Sequence, residues 1–184
     1  PVPFPYFPML MPTKANPIVK NLDMVLSRFV SSIDTIKNDA VRKTILLTTS
    51  SNSRTTRLPA QIGWDVVKTQ PNPRDYRQHH LPAAVLLEGH FTSLFHNRQD
   101  PAAVSALQQA SGRPFKDATD TINKMIVVSD GDLIANAVSR KEGPLQMGIN
   151  EFNPGFSFAN KEFFLNCREY LSGNNGIMEA RNKE

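Results

Sequence analysis

Residues 124–136 read Lys-Met-Ile-Val-Val-Ser-Asp-Gly-Asp-Leu-Ile-Ala-Asn, and no other stretch constrains the fold as much. The apolar run Met125 to Val128 has no polar interruption, which suits a strand buried on both faces, as in a parallel sheet covered by helices. It breaks at Ser129-Asp130-Gly131-Asp132, where Gly131 offers positive φ and the carboxylates can accept hydrogen bonds from turn amides or a helix start. Leu133, Ile134 and Val138 would then face back onto the sheet. The unit predicted is strand, acidic turn, helix, with the turn at the carboxyl edge of the sheet, where open α/β folds usually bind ligands.

Two further strands fit this frame, residues 43–49 and 83–87, the second closing on Glu88-Gly89-His90. Residues 29–36 read as a strand of mixed character, and 62–67 alternate only briefly. Asn16-Pro17 predicts a short helix to about Leu26, with Asn as cap and Pro at the first position. Asp100-Pro101 predicts a helix with a thin apolar face that reaches Ser111 and stops at Gly112. Asn160 is expected to cap the best helix, whose one face carries Phe163, Phe164, Cys167, Tyr170 and Leu171 and which ends at Gly173. Between Ser139 and Ala159 the chain reads as irregular.

Ahead of these elements, six of the fourteen prolines fall in residues 1–17 among Phe4, Tyr6, Phe7, Met9, Leu10 and Met11. Proline fixes φ and removes amide donors, so residues 1–16 are expected to form an extended arm. It would lie along the domain surface, anchored by Tyr6 or Phe7. Residues 17–173 then form a single α/β domain, and 174–184 a polar tail. With 184 residues, 40% of them hydrophobic, the chain can bury one real core. It lacks an apolar run near the roughly 20 residues a membrane helix needs, and it reads as part of a longer protein. The net charge of +4 is dispersed rather than clustered, which argues against nucleic acid. Its one cysteine, Cys167, excludes an intrachain disulfide and any Cys-rich zinc site.

Chemistry is sparse. If the strands are parallel, Glu88, Asp130 and Asp132 line one crevice together with the polar loop 50–57, where Ser50 and Arg54 stand. Three acids there could hold a hard cation or perform acid–base work, although Asp-Gly-Asp is also a common turn. The loop's Arg54 and Arg57 could bind an anion or simply be solvated. Adjacent His79-His80 lack the spacing of a helical metal pair. There is no nucleophile elbow, phosphate loop or dinucleotide fingerprint, and Cys167 sits mid-helix, away from the strand-end turn a class I amidotransferase nucleophile needs. No cofactor is expected. A metal-dependent or hydrolytic enzyme using Glu88, Asp130 and Asp132 stays as the alternative to a non-enzymatic domain.

Several segments taken together carry a resemblance: Phe7-Pro8-x-Leu-Met-Pro, Asn16-Pro-Ile-Val-Lys-Asn-Leu, the strand from Thr44, Leu87-Glu88-Gly89-x-Phe91-x-Ser93, Val127-Val-Ser-Asp-Gly-Asp-Leu-Ile, Asn160-Lys-Glu-Phe-Phe-Leu-Asn and Glu179-x-Arg-Asn-Lys. Over nearly the whole chain they resemble the extracytoplasmic region of the GldG gliding-motility family, auxiliary or substrate-binding-like components of ABC transporters. The resemblance implies a flavodoxin- or class I amidotransferase-like α/β fold lacking the amidotransferase nucleophile. It also implies a membrane-anchored parent working on the periplasmic side of the inner membrane, with an ABC permease and ATPase as partners. It implies no catalytic or ligand-binding residues.

Overall fold

A computed structural model of the chain describes residues 4–14, 16–68 and 70–173; the polar tail, 174–184, lies outside them. Five strands form the main sheet: β1 (Met9–Pro12), β2 (Val25–Leu26), β3 (Val41–Thr48), β4 (Pro82–Gly89) and β5 (Asn123–Val128). Their spatial order is β2-β1-β3-β4-β5, and every neighbouring pair is antiparallel. The sheet curls into a half-barrel, and among the described residues there are only two α-helices, α1 (Pro101–Ser111) and α2 (Asn160–Leu171). The parallel, helix-flanked α/β sheet expected from the sequence is therefore wrong, and with it the flavodoxin- or amidotransferase-like architecture.

β3, β4 and β5 fall close to the strands expected at 43–49, 83–87 and 125–128, but their directions differ, and β1 and β2 replace an expected arm and helix. A parallel sheet needs a crossover that packs back across the strands. The connection between β4 and β5 contains α1, yet α1 buries none of its residues. It leaves from Gly89 and returns at Asn123, which are cross-strand partners, so it is an excursion at one end of the sheet. Residues 49–81 do the same at the other end, leaving after Thr48 and re-entering opposite it at Pro82. The run Met125 to Val128 is also not doubly buried. β5 is an edge strand whose side chains alternate, with Met125 48% and Val127 38% exposed on the outer face. An apolar run of four does not require two covered faces, since much of any protein surface is apolar.

The proline-rich stretch takes a central place rather than a surface one. Met9 and Leu10 pair with β2 on one side, and Met11 and Pro12 pair with β3 on the other. Pro12 is tolerated because β1 has already lost its β2 neighbour there, so the missing N–H faces no strand. The fully buried anchor is Leu10, while Tyr6 and Phe7 are half-buried. Just beyond, Thr13 satisfies an irregularity in β3, where pairing shifts between Ile45 and Leu47. Its N–H donates to the Leu46 carbonyl (3.0 Å) and its hydroxyl to the Ile45 carbonyl (2.7 Å). A bulge of this kind sharpens local twist and so helps the sheet curl.

The helix expected over residues 16–26 is only a 3-10 turn, Pro17–Val19. Asn16 does cap it, accepting from the Ile18 N–H at 3.0 Å, but Asn21 enters the left-handed region (φ 57°) and the chain becomes β2 instead. No strand forms over residues 29–36; single hydrogen bonds from Ser31 N to Ser129 O and from Ile33 N to Pro82 O guide that segment back toward Val41. A 3-10 turn, Gly131–Ile134, follows the acidic turn, and of the three residues expected to face the sheet only Leu133 is buried.

The core lies on one face of the sheet, under α2. Leu10, Leu46, Leu47, Ala84 and Leu86 of the strands meet Ile18, Val19, Leu133, Phe163, Cys167 and Tyr170. Asn160 was expected to cap α2. Ala159 holds that position without a side-chain bond, and the Asn160 side chain turns inward, 4% exposed. Its Oδ1 accepts from the Leu26 N–H (2.9 Å), while Nδ2 donates to the carbonyls of Leu26 (2.8 Å) and Leu133 (2.9 Å). One amide thus does for β2 what a neighbouring strand would do, and ties in the 3-10 turn as well. Asn166 works similarly, donating from Nδ2 to the Ile18 carbonyl at 2.9 Å.

Candidate functional site

The antiparallel order decides which of the five candidate residues can meet. Thr48 pairs with Pro82 and Ala84 with Val128 at one end of the sheet; Val41, Gly89 and Asn123 align at the other. Ser50, Arg54, Asp130 and Asp132 therefore belong to the first end. Glu88 stands at the opposite end, so the three acids do not share a crevice. Among the described residues no three His, Cys, Asp or Glu side chains are placed to hold one metal ion.

Two of the three acids already have work within the fold. Glu88 lies between its cross-strand partners Arg42 and Lys124. It forms an ion pair with Arg42 and accepts from the Tyr170 hydroxyl at 2.9 Å. Lys124 in turn lies 4.2 Å from the Tyr170 ring centroid. Burial pushes the Glu88 carboxyl up, but the hydrogen bonds from Arg42 and Tyr170 and the charges of Arg42 and Lys124 outweigh it and hold the group below its ordinary value. Tyr170 is raised, first by burial and then by the Glu88 carboxylate it serves. Asp130 is buried; its two oxygens accept from the N–H groups of Arg28 (2.7 Å) and Asp132 (2.9 Å). It caps the 3-10 turn and fastens the segment after β2. Asp132 is exposed. Cys167 is buried under the sheet and its thiol is pushed up to about 12 by that burial, which keeps it protonated and unreactive. His79 contacts the Ser51 carbonyl through Nδ1, and the His80 N–H donates to the Ser50 carbonyl at 3.0 Å, so both serve the loop after β3.

Ser50 and Arg54 do border a concavity. A groove of about 630 Å³ lies between the N-terminal arm, the segment after β2 and loop 50–62. Tyr6, Met9, Met11, Met24, Phe29 and Tyr76 give it an apolar floor and one wall. The other wall is the loop, whose base is fixed by reciprocal backbone hydrogen bonds between Ser53 and Gln78 (2.8 and 3.0 Å) and by the Ser53 hydroxyl donating to Thr49 Oγ1 (2.7 Å). The Arg54 guanidinium carbon lies over the Tyr76 ring, 5.3 Å from its centroid. At the rim, Phe4, Tyr6, Phe7 and Phe29 make edge and stacked contacts with centroids 5.0–6.4 Å apart, and Trp64 lies 5.8 Å from Phe4. Arg28 covers the Phe7 ring at 5.5 Å and pairs with Glu151 at 3.7 Å.

Phe29 reaches that cluster by adopting φ 51°, the left-handed region that side-chain-bearing residues avoid at about 1–2 kcal/mol. Its N–H donates to the Tyr6 carbonyl at 2.8 Å, which fixes the bend. Sequence reasoning pointed to Ser50 and Arg54 and took the arm's aromatics only as packing anchors; it missed Phe29, Tyr76 and the apolar part of the loop, Leu58 and Ile62. An aromatic at positive φ leaves no mark in a sequence. Leu58-Pro59 and Ile62 within a polar loop were the available signal.

A family described as an ABC-type uncharacterized transport system matches residues 1–167. No curated protein and no solved structure matches the chain.

Proposed function

The chain belongs to that family of ABC-type transport systems, and from this premise we propose that it is a non-enzymatic auxiliary domain of the transport assembly, binding through its groove. The observation that carries the reading is the groove itself: open, lined by aromatic and methionine side chains, and rimmed by exposed Phe29 and Trp64. Apolar surface left bare in this way usually marks a contact site. The acids that hydrolysis or metal binding would need are instead committed to the scaffold or dispersed along it. The chain is proposed to work on the periplasmic side of the inner membrane, in a membrane-anchored parent whose partners are an ABC permease and its ATPase and which serves a motility or export assembly. The segments that resemble an extracytoplasmic family support that placement. The arm is built into the body, because β1 pairs with β2 on one side and with β3 on the other.

The test is purification of the full-length parent from membranes in mild detergent, followed by identification of what travels with it. Recovery of a permease and an ATPase in fixed proportion is expected. Recovery without either, from a soluble fraction, would overturn the proposal.

A further inference from the structure

We propose that the groove takes an extended peptide segment in which an acidic side chain sits among apolar ones, with Arg54 receiving the carboxylate. The proposal rests on the interaction reading above and names what is bound.

Charge comes first. Among the described residues lining the groove, Arg54 is the one ionisable cation and no Asp or Glu is present. Residues 50–63 add Arg57 and no acid. Arg54 has no carboxylate within ion-pair distance among the described residues. The Arg54 guanidinium lies over the Tyr76 ring, a cation–π contact that consumes none of its N–H donors, so they can form a two-pronged bond to a carboxylate.

The walls then discriminate between anions. Ser31, Ser32, Thr55 and Thr56 line the groove, and their hydroxyls make no hydrogen bond to the described residues. An acyl chain would strip water from them and return nothing, which is costly. A peptide backbone supplies both donors and acceptors at short intervals. A sugar chain would also satisfy hydroxyls, but Met9, Met11 and Met24 form a soft apolar floor better matched to aliphatic and aromatic side chains.

The experiment selects a phage-displayed random dodecapeptide library on the 184-residue chain, then measures the synthesised consensus by fluorescence anisotropy. Expected is a consensus with Asp or Glu flanked by apolar residues. Its Glu→Gln version should bind about tenfold more weakly, and R54Q should bind both versions alike. Backbone NMR shifts should map to Phe29, Arg54, Ile62 and Tyr76. Arg54 is exposed, so R54Q should melt with the wild type; the Glu→Gln peptide tests the same bond without touching the protein. Failure to select any peptide, a consensus without an acid, shifts mapping elsewhere, or equal shifts from dodecanoate or a neutral oligosaccharide would each overturn the proposal. Co-purification with the transport subunits beside a failed selection would sink this inference and leave the functional reading intact.

Discussion

Replacing Asn160 by Ala tests whether the fold depends on its buried amide. The substitution removes three hydrogen bonds and strands the N–H and carbonyl of Leu26 and the carbonyl of Leu133. At about 1 kcal/mol net for each bond, the loss should be about 3 kcal/mol, with the gain from Ala in the first turn returning only a few tenths. For a chain of this size that corresponds to a fall in Tm of roughly 6–12 °C. Urea denaturation followed by near- and far-UV circular dichroism should show a lower midpoint with an unchanged slope, provided the two signals coincide. Asn160→Asp keeps the acceptor for the Leu26 N–H but sets a carboxylate oxygen against two carbonyls, so at neutral pH it should be at least as damaging. A loss below about 1 kcal/mol for N160A would mean that water or a shift of β2 replaces the amide, and the clamp would be no more than a contact.

The other expectations concern groups the same structure sets apart. Asp130→Ala should cost about 2 kcal/mol, because two backbone amides lose a charged acceptor, whereas Asp132→Ala should stay within about 0.5 kcal/mol; equal effects in thermal melts would contradict the assigned geometry. Glu88 is held below its ordinary carboxyl value, so its contribution is present above the unfolded-state value and is lost as pH falls through the folded one. The stability gap between wild type and E88Q should accordingly be full at neutral pH and close in the acid range below about 4.5, measured as denaturation midpoints; a gap that widens on acidification would reverse the sign. Cys167, with its thiol near 12 and its side chain buried, should react slowly with a thiol reagent in the native chain and rapidly in denaturant; fast native labelling would refute its place in the core.

The sequence marked the strands and helices themselves more clearly than their relations. β3, β4 and β5 stood out because each is a run of apolar residues with sharp polar ends, and α1 because Asp100 and Gly112 cap it as their chemistry dictates. Strand direction carries no such mark. Met125 to Val128 would look the same in a doubly covered parallel sheet and on a half-exposed antiparallel edge. The thin apolar face of the helical segment before β5 already spoke against a crossover, and α1 buries none of its residues. Asn160 misled for a related reason: Asn before a helical run is a good cap, and its alternative use depends on Leu26 and Leu133, far away in sequence. The candidate site inherited the error in direction. Reversing β4 moved Glu88 to the far end, while Ser50 and Arg54 stayed beside a groove because their loop departs from the end where the arm crosses.

The architecture separates what holds the chain together from the groove proposed to meet a partner. Stability is concentrated where α2 packs on the sheet and where Asn160, Asn166 and Asp130 satisfy backbone groups of distant segments. The loop wall and rim of the groove contribute little to that core: Arg54, Leu58 and Trp64 are exposed, and the loop that carries them is closed at its own base by Ser53 and Gln78. Changes there and changes at Asn160 share no partner, so their energetic effects should add. Sequence change in loop 50–63 can then alter what the groove accepts without loosening the sheet. The floor behaves differently, because Met9 and Met11 belong to β1, where Leu10 is fully buried between them. Arg54 and the hydroxyls are thus free to set specificity, whereas β1 fixes the depth of the groove through the same hydrogen bonds that complete the sheet.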